Sequence, residues 1–176
     1  MAGSLIKIDE EIVTSAVASV TLGGTNWDSS YDVYMVKMNN VAPTTDATVI
    51  KQRVTVGGVA DTSANYDTAV KRLRSDVAFQ DRSATNQTHL EYFSVTLGNA
   101  TGEIFNGIMY LFNFNNASEY SFLTVEQSTT NSDTTLVGVQ GGGVNTVAQS
   151  CDGVQFYFDG VDTFASGTFT LYGLKK

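Results

Sequence analysis

From Leu5 to Leu174 the chain is a succession of short runs rich in Val, Ile, Phe, Tyr and Thr, each ending in Gly, Asn, Asp or Ser. The runs are Leu5 to Ile8, Val13 to Leu22, Tyr31 to Met38, Val49 to Val56, Leu90 to Leu97, Ile104 to Phe114, Phe122 to Glu126, Thr135 to Gln140, Val154 to Phe158 and Thr168 to Leu174. β-Branched and aromatic side chains suit a pleated, half-buried surface, and the residues that close each run accept turn dihedrals. Helical periodicity is almost absent, so about ten strands closed by turns predict an all-β antiparallel sandwich, jelly-roll-like, with little or no helix. The stretch Ser63 to Arg74 is ambiguous, because Tyr66, Val70 and Leu73 also match one helical face; the β context favours a strand. Gly141-Gly142-Gly143 reads as a flexible hairpin connection, lacking the Lys and Ser/Thr that would make it a phosphate-binding loop.

A chain of 176 residues fits one domain, 1–176, with residues 1–12 an extended N-terminal arm or strand. The single cysteine, Cys151, excludes an intramolecular disulfide and reads as an inert buried thiol. Charged residues make up only 16% of the chain, and the hydroxyl and amide groups that replace them are far less costly to bury across an interface. The formal net charge of −8 opposes broad contact with nucleic acid, which demands Lys and Arg. No run of eighteen apolar residues occurs and Met1 to Asp9 lacks the pattern of a signal peptide, so no membrane span is expected.

Chemistry-bearing patterns are sparse. No Cys/His spacing for zinc occurs, Asp9-Glu10-Glu11 reads as a solvated turn, and Asp152, Asp159 and Asp162 as scattered carboxylates, so neither metal nor cofactor is expected. His89, the one histidine, lacks a Gly-x-Ser-x-Gly nucleophile elbow elsewhere in the chain, and no pair of acids is marked out for glycosidase work; the chain reads as non-catalytic. Two clusters point to contacts. Lys71, Arg72, Arg74 and Arg82 gather four of the ten basic residues, as a patch for an acidic neighbouring subunit or as internal partners of Asp67, Asp76 and Asp81. Trp27 with Tyr31, Tyr34 and Tyr92 reads as core, or else as a sugar-stacking platform beside the amides of Asn113, Asn115 and Asn116.

Three segments carry a resemblance: Ser4-Leu5-Ile6-Lys7-Ile8, Tyr31-Asp32-Val33-Tyr34 with Asn39-Asn40-Val41-Ala42-Pro43, and Asp152 to Phe158 with Phe164-Ala165-Ser166-Gly167-Thr168-Phe169-Thr170-Leu171-Tyr172-Gly173-Leu174-Lys175. They resemble β-sandwich virion structural proteins of tailed bacteriophages, of capsid-decoration or tail-appendage type. The resemblance implies a non-catalytic particle component made in the host cytoplasm and placed on the capsid exterior or the tail. The leading expectation is a decoration or cement protein, a homo-oligomer such as a trimer that binds other virion proteins such as the major capsid protein, where many weak contacts act together. The alternative is a receptor-binding, lectin-like tail module touching a host glycan through Trp27, Asn113, Asn115 and Asn116. No catalytic residue is implied at any position.

Overall fold

The computed structural model describes residues 4–91 and 96–175. Within them the chain forms twelve strands and one 3-10 turn, Gly24–Asn26. Eight strands make one antiparallel sheet in the spatial order β1 (Ser4–Val13), β12 (Phe164–Lys175), β3 (Val33–Pro43), β8 (Phe105–Phe112), β9 (Ser121–Thr130), β10 (Leu136–Asn145), β6 (Tyr66–Arg74) and β7 (Gln80–Gln87). Four make a smaller antiparallel sheet in the order β2 (Ser19–Gly23), β11 (Gly153–Tyr157), β4 (Lys51–Val56) and β5 (Val59–Ala60). The all-β, sandwich-like architecture is thus the one expected.

Alternation of side chains dictates which face each strand buries. In β9 the residues Ser121, Leu123, Val125, Gln127 and Thr129 are buried, while Phe122, Thr124, Glu126 and Ser128 face solvent. Ile50, Gln52 and Val54 point inward from β4 and its approach. The inward sets of both sheets meet in one core, at whose centre Phe156 of β11 lies 5.6 Å from Phe169 of β12, and Phe164 lies 5.3 Å from Phe169 and 4.5 Å from Phe158. Two tyrosines are fully buried, and each hydroxyl is satisfied on both sides. Tyr66 donates to the Asp61 carbonyl at 2.8 Å and accepts from the Val54 N–H at 3.2 Å. Tyr34 donates to the Asp28 carbonyl and accepts from the Asn115 amide, both at 2.7 Å. A buried polar group that is paired in this way avoids the desolvation penalty of an orphan.

Of residues 1–12, expected as an arm or strand, those described belong to β1, which pairs with β12 as an edge strand, and Asp9-Glu10-Glu11 lie within it just after a bulge, not in a turn. Ser63 to Arg74 yields a strand from Tyr66, as the β context predicts. Val13 to Leu22 divides between the end of β1 and β2. Of the run Leu90 to Leu97, residues 92–95 lie outside the described residues, while Leu90 and Leu97 form isolated bridges to Gln52 and Thr48.

The expectation for Gly141-Gly142-Gly143 is overturned. These glycines sit in the interior of β10, paired with Val125 to Leu123 on one side and Val70 to Thr68 on the other. The physical reason is space: a Cβ on Gly141 would lie 2.4 Å from the Ala69 carbonyl oxygen, and one on Gly142 2.6 Å from that of Leu123. Close backbone approach selects glycine here, not turn geometry.

The carboxylate of Asp61 ties the loop before β6 to the end of β10. It accepts from the Ser63 N–H at 2.9 Å, the Gln149 amide at 3.2 Å and the Asn145 amide at 3.3 Å. Burial pushes its pKa up, and the hydrogen bonds from Ser63, Gln149 and Asn145 outweigh that and hold it below the usual aspartate value. A folded-state pKa below the unfolded one contributes stability that is fully present above the unfolded pKa of about 3.9 and is lost as pH falls through the folded value. The stability difference between wild type and Asp61→Asn is therefore expected to be constant from pH 7 to about 5 and to shrink steadily below about pH 4. Urea midpoints measured across that range check this, and a difference that does not change with pH removes the charged network from the account.

Candidate functional site

The outward face of the eight-stranded sheet is organised in three rows that cross the strands. In the first, Leu5 stands opposite Leu174, Val33 opposite Phe112, Phe112 opposite Phe122, and Phe122 opposite Val144. Leu174 and Val33 complete the row, one residue beyond the Gly173–Tyr34 pair. The second row runs through Tyr172, Met35, Tyr110, Thr124, Gly142 and Ala69, aromatic at one end and small at the other. The third is polar: Thr170, Lys37, Ile108, Glu126, Gln140 and Lys71, with Glu10 and Asp81 at its ends. Its members largely bond one another, Thr170 to Glu10 at 3.2 Å, Gln140 to Glu126 at 2.9 Å and Lys71 to Asp81 at 3.1 Å.

Where Gly142 leaves the outward face bare, a groove of about 480 Å³ opens between Ile108, Tyr110, Thr124, Glu126, Gln140 and the Gly141 backbone. β8 shows why this face is unusual. Its inward residues Phe105, Met109 and Leu111 belong to the core, yet its outward ones, Ile108, Tyr110 and Phe112, are apolar too. An antiparallel strand with one solvated face normally alternates apolar with polar, and apolar residues on both faces mark a strand made to be covered twice. Phe122, 44% exposed, and Leu5, 49% exposed, are the least covered members of the first row.

The four basic residues do not form one patch, because β6 alternates. Lys71 points outward to its ion pair with Asp81, whereas Arg72 points inward and is buried. Arg74 is held by the Asp76 carboxylate through two hydrogen bonds, of 2.9 and 2.7 Å. Arg82 of β7 stands opposite Val70 and so shares the inward side with Arg72. Internal pairing thus accounts for Lys71 and Arg74, and leaves Arg72 and Arg82 to be explained.

The polar groups at Trp27, Asn113, Asn115 and Asn116 are occupied within the chain. The Trp27 indole donates to Asn115 Oδ1 at 2.9 Å, and its ring lies 4.0 Å from Tyr34 and 5.8 Å from Phe114. The Asn115 amide donates to the carbonyls of Ser29 and Tyr31 and to the Tyr34 hydroxyl. Asn113, at a positive φ of 64°, donates to the Tyr120 carbonyl, and Asn116 accepts from the Ser118 N–H. These residues shape the β8–β9 loop and seat it on the core. Tyr92 lies outside the described residues.

Among the groups weighed for chemistry, Cys151 is buried, and burial pushes its thiol up to about 11, so it stays protonated at neutral pH. His89 Nε2 lies 3.8 Å from Glu91 Oε2, and the imidazole is the first cause holding that carboxyl below its usual value. Asp152 fastens the β4–β5 turn, accepting from the Thr55 hydroxyl at 2.7 Å and the Gly58 N–H at 2.8 Å. Asp159 pairs with Lys51. No three His, Cys, Asp or Glu side chains among the described residues converge as metal ligands, and no helix among them is long and apolar enough to cross a membrane. Compared with protein-family models, with curated proteins and with solved structures, the chain finds no match.

Proposed function

We propose that this chain is a non-catalytic structural subunit of a tailed-phage particle, a decoration protein that binds the shell through the outward face of its large sheet. The observation that carries the reading is the apolar row Leu5, Leu174, Val33, Phe112, Phe122 and Val144, separated by the second row from a polar row whose side chains largely bond one another. Such a face loses little on desolvation and gains from burying its aromatic and aliphatic side chains. The low charge density of the chain and its resemblance to virion β-sandwich proteins support the same reading. Oligomerisation on the particle multiplies each modest contact, since neighbours already bound hold the next contact at high effective concentration.

The test is made on purified particles of the phage that encodes the chain. Immunogold label spread over the shell, together with exclusion of the Phe122→Asp variant from particles, is the expected result. Because Phe122 faces solvent, the variant should keep its fold and lose only about 1–2 kcal/mol of unfolding free energy in urea titration, while binding to depleted particles falls by ten-fold or more. Label confined to the tail removes the decoration reading in favour of a receptor-binding module. Wild-type incorporation of Phe122→Asp removes the outward face from the contact.

A further inference from the structure

The inward side of β6 and β7 carries two arginines that the contact face does not use. Arg72 is only 6% exposed, yet its Nε has no hydrogen-bond partner among the described residues. A buried guanidinium is ordinarily paired with a carboxylate, because an unpaired buried charge is strongly destabilising. Here the neighbouring carboxylates are engaged elsewhere, Asp81 by Lys71 on the opposite face and Asp76 by Arg74. The other basic groups add to the imbalance. Burial first, then the charges of Arg82 and Arg74, push the Arg72 pKa below the usual arginine value, which places three guanidiniums within electrostatic reach of one another.

Two strands away on the same face, Gln127 is buried with both amide atoms unpartnered. The register sets Arg72 opposite Val139, and Val139 opposite Gln127, so the two unsatisfied side chains flank one valine. Arg82, exposed on the edge strand, lines a cleft of about 130 Å³ with Thr68, Gln87, His89 and Glu91, which gives the inward side of this corner an opening to solvent. Among the described residues Glu91 is the one carboxylate lining that cleft, and its Oε2 lies 3.8 Å from His89 Nε2.

We propose that Arg72 and Arg82 form a binding site for an oxyanion, a carboxylate or a phosphate group, that accepts from the guanidinium donors the described residues leave without a partner. The planar donor fork of arginine matches both groups with paired hydrogen bonds, and the Gln127 amide adds a donor on the far side of Val139. The site is independent of the outward face, so the two readings stand or fall separately.

The experiment is thermal unfolding of the full chain with sodium phosphate or sodium citrate as probes, each against sodium chloride at equal ionic strength. For wild type a saturable rise in Tm is expected, about 5–10 °C at a hundred-fold excess over Kd. A rise with phosphate alone identifies a phosphate site, and one with citrate alone a carboxylate site; both support the proposal. Arg82→Gln, at an exposed position, should fold normally and bind at least ten-fold more weakly. Arg72→Met should lose the response and, without any anion, unfold at or above the wild-type temperature, because it removes an unpaired buried charge. No rise beyond that of chloride, or an equal rise in Arg72→Met, would mean an adventitious ion only and overturn the proposal. A markedly lower Tm for Arg72→Met without anion would show the guanidinium already paired in the free chain, with the same consequence.

Discussion

Phe169→Ala should remove about 3–5 kcal/mol of stability, the usual range for deleting a fully buried phenylalanine. Phe169 is wholly inaccessible, and its ring touches the cluster from both sheets: Phe164 of its own strand at 5.3 Å edge-on, and Phe156 of the small sheet at 5.6 Å. Truncation takes away the aromatic contacts and leaves a void that strands on either side are too well hydrogen-bonded to close. Against a total of about 5–15 kcal/mol for a natural domain, the loss brings the chain near its unfolding threshold at 37 °C. Phe122→Ala removes the same atoms from the solvent face and should cost well under half as much. Urea titration of the two variants makes the comparison, and equal losses would contradict a core shared between the sheets.

Gly141→Val is expected to be as damaging, for the opposite reason. A side chain at 141 meets the Ala69 carbonyl at 2.4 Å and the Val70 Cα at 2.6 Å, backbone atoms that move only if β10 and β6 separate. Overpacking a core costs about 1–3 kcal/mol when side chains can shift, and more where backbone must. Separation of β10 from β6 would also release β7, which pairs with β6 alone. Had the glycines formed a loose connection, the substitution would have been neutral, or stabilising by about 0.4–1 kcal/mol through the unfolded state. The sign of the measured change therefore decides between a packed strand and a flexible link.

The contrast between these two sites shows where sequence was informative. Strands with strong alternation or many β-branched and aromatic residues, such as β3, β8, β9, β11 and β12, are visible because their composition and their burial share one cause. β7, reading Gln80-Asp81-Arg82-Ser83-Ala84-Thr85-Asn86-Gln87, is invisible to the same logic. An edge strand that is exposed along almost its whole length needs no apolar face, and polar residues there discourage pairing with other chains. The glycines of β10 mislead because glycine marks both a turn and a close backbone approach, and only the third dimension separates the two.

At the candidate sites the legible part was the gathering of basic residues, not its division. Counting by twos from the buried Val70 puts Arg72 inside and Lys71 outside, and that alternation was available in the sequence once β6 was taken as a strand. The apolar outward row was likewise signalled by Ile108, Tyr110 and Phe112 interleaved with Met109 and Leu111. What no sequence pattern discloses is that Leu5, Leu174, Val33, Phe112, Phe122 and Val144 share one line, since they come from six strands scattered along the chain. The pairing of Trp27 with Asn115, 88 positions apart, was hidden for the same reason.

The position of β12 also sets the order in which the molecule can be made. This strand, Phe164–Lys175, is inserted between β1 and β3, which have no hydrogen-bonded ladder with each other. While the chain emerges from the ribosome, β3 can already pair with β8, β8 with β9, and β9 with β10, whereas β1 must wait with its backbone donors and acceptors open until β12 appears. Closure of that edge joins residues more than 150 positions apart, the kind of non-local contact that slows folding and lengthens the life of partly folded species. Recombinant synthesis at lowered temperature, which gives the nascent sheet time to receive its twelfth strand before unpaired edges of different molecules meet, should accordingly raise the yield of folded protein.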